Sequence, residues 1–138
     1  MMEQIVTPYL LYKDAGAALD FLSEAFGFEE ASRLTGEDGR VGHAETTING
    51  ASVYLGSPDD YRNPKEVGQT VLLYVLVDDV DAHFEHAKSA GAEIRDEPQD
   101  QDYGHRRYSA LDPEGHHWYF AAPVKDAAPA DWASVSAS

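Results

Sequence analysis

The chain has 138 residues, enough for one domain with a real core, with 43% apolar residues, no cysteine and a formal charge of −15. The missing cysteines exclude disulfides and thiolate chemistry, and the acidic balance argues against nucleic acid or an anionic membrane surface as partner, because phosphate binding needs Lys and Arg. No apolar run approaches the roughly 20 residues of a bilayer span. The start "MMEQIVTPYL" has neither the basic nor the apolar region of a signal peptide, so the expected location is the cytoplasm.

The first element is "VTPYLLYKD", an apolar, aromatic run closed by acid that suits a strand, with Pro8 confined to its start or edge. "DAGAALDFLSEAFG" follows with Ala18, Phe21, Leu22, Ala25 and Phe26 on one helical face. Asp14 stands where a cap belongs, and Gly27 where a left-handed stop belongs. "VGHAETTI" then leads through the turn pair Asn49-Gly50 into "ASVYLG". Residues 57 to 69, polar and with two prolines, read as a connection, its linker proper at 59–69.

The pattern then recurs. A shift of 65 residues lays Tyr9 on Tyr74, Asp14 on Asp79, Gly50 on Gly115 and Tyr54 on Tyr119. "VLLYVLVDD" repeats the first strand, and "DVDAHFEHAKSAG" repeats the helix with Val80, Phe84, Ala87 and Ala90 inward. His83 and His86 lie one turn apart, and the amphipathic pattern predicts that they face solvent. "RRYSAL" passes through Asp112-Pro113-Glu114-Gly115, a type I turn signature, into "HHWYFA". The tail from Pro123 is rich in Ala, Ser and Pro and is expected to fray, with Trp132 a candidate anchor onto a partner subunit.

The segments "PYLLYKDAGAALDFLSEAFGFEE", "GHAETTINGASVYLG", "VLVDDVDAHFEHAKSAGAEI" and "YGHRRYSALDPEGHHWYF" together resemble the vicinal oxygen chelate superfamily. That superfamily includes glyoxalase I, extradiol dioxygenases and the fosfomycin- and bleomycin-resistance proteins, and the likeness is greatest to its PhnB-like, bleomycin-resistance-like branch. The resemblance implies an α+β fold in which two tandem βαβββ modules form a cupped, barrel-like mixed sheet with helices outside. The folded domain is then residues 1–122, with module one at about 4–58, the linker at 59–69 and module two at 70–122, followed by a flexible tail at 123–138. Look-alike proteins also imply a homodimer, which leaves open whether the cavity is intrachain or shared.

Metal-dependent members carry ligands, usually His and Glu, at four positions on the first and last strands of the modules. In this sequence those positions are Thr7, Tyr54, Leu72 and Tyr119. None is the His, Asp or Glu that a catalytic zinc requires, and a tyrosine binds metal only as phenolate, against a free pKa of about 10. The expectation is therefore no metal and no cofactor. Because side chains alternate along a strand, the same faces also carry Tyr9, Leu11, Ser52, Tyr74, Leu76 and His117. Leu10, Val53, Leu55, Leu73, Val75, Trp118 and Phe120 fall on the core side. Four tyrosines and three leucines make an apolar surface with a few hydroxyls, the profile of a small-molecule site that could hold an aromatic drug or metabolite, cations included. Arg106 matches an arginine of similar proteins, where it would close the pocket, bind an anionic group or form a salt bridge.

The reading that follows is a binding protein that sequesters its ligand. The alternatives are a lyase, isomerase or dioxygenase-like enzyme using His43, Glu45 and His117, and a non-catalytic interaction or regulatory module. His43 and Glu45 alternate on one strand and so share a face.

Overall fold

A computed structural model describes residues 4–124 of the chain; the tail from 125 onward, with Trp132, lies outside the described residues. Module one runs β1 (Tyr9–Leu11), α1 (Ala15–Phe26), β2 (Glu29–Thr35), β3 (Val41–Ile48) and β4 (Ala51–Gly56). A one-turn helix, α2 (Pro64–Val67), interrupts the linker. Module two repeats the order as β5 (Leu72–Leu76), α3 (Val80–Ser89), β6 (Glu93–Asp100), β7 (His105–Leu111) and β8 (His117–Pro123). Each module forms its own four-stranded sheet, ordered β1-β4-β3-β2 and β5-β8-β7-β6, with one parallel pairing at the β1 or β5 edge. The fold is the α+β tandem expected, but its sheets are two cups side by side and do not close into a barrel.

Local chemistry sets these boundaries in both halves alike. The Asp14 carboxylate accepts from the Ala17 amide at 3.0 Å, and the Asp79 carboxylate accepts from the Ala82 amide at 3.0 Å. Gly27 ends α1 in the left-handed conformation at φ +81°, which a residue with a Cβ adopts only under strain. The linker departs from a plain polar connection because Pro64 occupies the first helical position after Asn63, with Glu66 closing a capping box.

The two modules share one core. Phe26, from the last turn of α1, packs on Phe120 at 4.7 Å and Trp118 at 6.0 Å between ring centroids, and Phe28 meets Trp118 at 5.3 Å. Here the solvated face expected for His83 is corrected. His83 is half-buried, with Nε2 donating to the Phe26 carbonyl at 2.8 Å and Nδ1 beside the Tyr108 hydroxyl at 2.5 Å. A carbonyl only accepts, so Nε2 carries a proton, and burial favours the neutral ring, whose Nδ1 accepts from the Tyr108 hydroxyl. Burial holds the His83 pKa below its ordinary value. His86 keeps an exposed position but donates to the Glu24 carbonyl at 2.8 Å.

A second tie uses a buried carboxylate. Asp112 is 1% exposed and accepts from the Tyr12 hydroxyl at 2.6 Å, Trp118 Nε1 at 3.1 Å, and the amides of Glu114 and His116 at 3.1 and 3.0 Å. Burial and this neighbour raise the Tyr12 phenol well above the usual tyrosine range, so it remains a donor. The adjacent Glu114 carboxylate accepts from the amides of Lys13 and Asp14 at 2.6 and 2.8 Å, clamping the turn of module two onto the β1–α1 corner of module one. At the seam the halves exchange equivalent bonds. His116 Nε2 donates to the Leu11 carbonyl at the end of β1, and Asn49 Nδ2 to the Leu76 carbonyl at the end of β5, both at 2.8 Å. Among the described residues no helix is long and apolar enough to cross a membrane.

Two outcomes follow from these ties. Replacing Asp112 with Ala leaves the Tyr12 hydroxyl and the Trp118 indole as unpaired buried donors and should cost about 3–5 kcal/mol in urea-unfolding stability. Stability should also fall with acid. With its folded pKa depressed, the contribution of His83 is complete above the unfolded value of about 6.5 and is lost as pH falls through the folded value, because the unfolded chain binds the proton first. The midpoint of urea unfolding should drop between pH 7.5 and 5, and a His83→Gln variant, itself less stable, should show a flatter dependence.

Candidate ligand-binding face

Burial along the edge strands follows the alternation that the sequence predicts. Tyr9 and Leu11 are 50% and 39% exposed while Leu10 between them is 7%. On β5, Leu72, Tyr74 and Leu76 are all exposed, and on β8 Trp118 and Phe120 are fully buried while Tyr119 is not. The outer faces of the two sheets therefore carry the tyrosines, and the inner faces carry the core. Parallel pairing sets Tyr9 beside Tyr54 and Tyr74 beside Tyr119. Thr7 precedes β1, and Ser52 is held through its backbone by the Gln4 side chain at 2.8 and 3.0 Å.

In module one, Tyr9, Tyr54, His43 and Glu45 gather. The Tyr9 hydroxyl lies 2.7 Å from His43 Nδ1, and His43 Nε2 lies 3.0 Å from Glu45 Oε2. The carboxylate must accept, so His43 donates from Nε2, and in the neutral ring Nδ1 accepts from the Tyr9 hydroxyl. This phenol–imidazole–carboxylate chain is one in which the carboxylate orients the ring and would stabilise an imidazolium. Tyr9 reaches His43 because Gly56 has no side chain: a Cβ there would stand 2.9 Å from Tyr9 Cε1. The Tyr9 ring meets Tyr54 edge-on, at 90° and 5.8 Å.

Module two has Ala121 where module one has Gly56, and there Tyr74 lies nearly parallel to Tyr119, at 13° and 6.1 Å. The Tyr74 hydroxyl contacts His105 Nδ1 at 2.7 Å and the Tyr103 hydroxyl at 3.0 Å, and Arg107 Nη1 donates to Tyr103 at 2.9 Å. The Arg107 guanidinium sits 4.8 Å from the Tyr119 ring centroid. Burial and the Tyr103 hydrogen bond raise the Tyr74 pKa, and burial lowers those of His105 and His117. His117 Nε2 donates to Ser109 Oγ at 2.9 Å, and Ser109 gives its own proton to Asp96. That direction is the reverse of a nucleophilic serine's.

Arg106 is placed elsewhere. It lies in β7, on the helix side, and pairs with Asp81 and Asp100 at 3.1 Å each. Tyr103, His105 and Arg107 stand on the face where Arg106 was expected, and sequence reasoning missed them. The signal was available: the antiparallel ladder pairs Ser109 with Tyr119 and Arg107 with Ala121, so residues 105, 107 and 109 share the side of Tyr119. His117 likewise stays with Ser109 in module two and does not join His43 and Glu45 in module one. Among the described residues no three His, Asp or Glu side chains gather closely enough to hold a metal. Threonine, leucine and two phenols at the superfamily's four ligand positions do not fit a resident divalent ion.

Two clefts flank the seam between the modules. One, of about 450 Å³, is lined by Tyr9, Leu11, Tyr61, Val67, Val71 and His116 among others; the second, of about 300 Å³, by Ser52, Asn49, Leu73, Tyr74 and Leu76. Tyr9 and Tyr74 thus front different clefts.

Comparison with known proteins agrees with this architecture. The family model described as Glyoxalase/Bleomycin resistance protein/Dioxygenase superfamily matches residues 4–120. An uncharacterized protein of Mycobacterium bovis is 37% identical over 134 residues, covering 91% of this chain and 87% of its own. Among solved structures, TioX from Micromonospora sp. ML1 superposes with a TM-score of 0.73 at 31% identity, covering 88% of this chain and 100% of its own. The fosfomycin resistance protein FosX from Listeria monocytogenes, complexed with Mn(II) and sulfate, shares the fold at a TM-score of 0.67 and 17% identity, covering 99% of each chain. The chain belongs to the glyoxalase/bleomycin resistance protein/dioxygenase superfamily.

Proposed function

We propose that this protein is a metal-free, cytoplasmic binding protein that sequesters an aromatic drug or metabolite, cationic compounds included, on its tyrosine-bearing sheet faces. One observation carries the reading. Four tyrosines stand on solvent-facing sheet surfaces, paired across parallel ladders, at and beside the positions where metal-dependent relatives of the fold keep their ligands. Each ring offers a stacking face and a hydroxyl, and a cation over such a ring gains about 0.5–2 kcal/mol. The Glu45 carboxylate beside Tyr9, His43 and Tyr54 adds a further attraction for positive charge.

A second reading rests on the Tyr9–His43–Glu45 chain, which has the composition of an acid–base device for a lyase or isomerase. The same experiment separates the two. The planar cation proflavine should bind the wild-type protein, and Tyr9→Ala, Tyr54→Ala and Tyr119→Ala should each raise its Kd by about fivefold or more in fluorescence titration. Unchanged affinity in all three would end the receptor reading. Metal analysis of protein purified without chelator should find far less than one zinc, iron or manganese per chain. Compounds from an aromatic drug panel should be recovered chemically intact; conversion that His43→Gln abolishes would favour the enzyme.

The proposal includes a homodimer. The supporting feature is a band of exposed apolar side chains, Ile5, Val6, Val71, Leu72 and Leu76, running along the open edges of both sheets. Sedimentation velocity at micromolar concentration should give twice the chain mass, and Leu72→Glu should shift it to the monomer.

A further inference from the structure

The two tyrosine faces are not equivalent in charge, and the difference specifies what each can hold. In module one, the residue paired with Gly56 is His43, and Glu45 pairs with Tyr54. In module two, the residue paired with Ala121 is Arg107, and Ser109 pairs with Tyr119. The duplication has therefore put a guanidinium where the other half has an imidazole, and a hydroxyl where it has a carboxylate.

Arg107 is held in place without being neutralised. Arg33, Arg40 and Arg106 pair with carboxylates, whereas Arg107, like Arg62 and Arg95, has no ion pair among the described residues. Its contacts are the ring of Tyr119 at 4.8 Å, the ring of Tyr103 at 5.8 Å and the Tyr103 hydroxyl at 2.9 Å. One hydroxyl uses one of the five guanidinium donors, so most of the fork is left to a ligand. On the neighbouring strand Gln99 stands opposite Arg107, Asp100 pairs with Arg106, and Asp96 accepts from the Ser109 hydroxyl. Arg107 is half-buried, and a guanidinium with free donors can take a planar carboxylate through its fork.

We propose that the module-two face is an anion subsite, in which Arg107 takes the carboxylate of an aromatic ligand that rests on Tyr74 and Tyr119. This rests on the aromatic-receptor reading and deepens it: the module-one face, with Glu45, suits a positive group, and the module-two face a negative one. Binding by Arg107 is charge-assisted and at a half-exposed site, so it weakens as salt screens it.

Three probes that share a naphthalene ring and carry an anionic, a neutral or a cationic substituent test it: 1-naphthoate, 1-naphthalenemethanol and 1-naphthylmethylammonium, titrated by calorimetry at low ionic strength. Naphthoate should bind the wild-type protein about tenfold more tightly than the alcohol. Arg107→Gln should erase that gap, read as the ratio of the naphthoate and alcohol Kd values within the variant, so that any loss common to both probes cancels. Arg107→Lys, which keeps the charge but not the fork, should retain part of the preference and so controls for folding. Binding of the alcohol with no gain from the carboxylate, or a gain that survives in Arg107→Gln, overturns the anion subsite and leaves the aromatic receptor standing. Failure of all three probes to bind overturns both.

Discussion

The arrangement of the two halves depends on one buried carboxylate. Asp112 is fully enclosed and satisfied by four donors, two from its own turn and two from aromatic side chains of different modules. A buried charge is tolerated only when its lone pairs are filled, so the group cannot shift without leaving either itself or its partners unpaired. Trp118 is thereby fixed in rotation on β8, and the alternation of the strand delivers Tyr119 to the opposite face. Tyr12 is fixed just past the end of β1, one residue beyond Leu11 and on the same side as Leu10. The geometry of the outer surface is thus set from the inside.

Around that anchor the chain uses its duplication twice. The cores fuse through Phe26, Phe28, Trp118, Phe120 and the neutral His83, so neither module buries its apolar face alone. The hairpin turns then cross the seam in matched fashion, each reaching the last carbonyl of the other module's edge strand. The edge strands β1 and β5, short and parallel to their neighbours, gain partners for backbone groups that would otherwise be left open.

Much of this was legible in the sequence because it follows from periodicity. The 65-residue offset, the aspartate caps and the alternation of Leu10 against Tyr9 and Leu11 are local consequences of residue type, and each appears at its predicted place. Strands β2 and β6 were less visible: "EEASRLT" and "EIRDEPQD" are almost wholly exposed and polar, so no apolar pattern marks them, and only backbone pairing with β3 and β7 makes them strands. His83 misled because its helix is amphipathic, yet a ring that satisfies both nitrogens can sit between two modules, which helical spacing alone does not reveal. Adjacent arginines mark the same limit. Arg106 and Arg107 are indistinguishable as letters, and a one-residue difference in strand parity sends one to Asp81 and Asp100 and the other to Tyr119.

A single methyl group carries the last consequence. With hydrogen at position 56 and a methyl at position 121, the tyrosine of each edge strand is sent a different way, edge-on in one half and parallel in the other. Perfect internal symmetry would have offered any guest two opposed poses of equal energy, head to tail and tail to head. Here the scaffold itself breaks that degeneracy, with an edge-on tyrosine pair on one sheet and a parallel pair on the other giving the two outer faces different shapes.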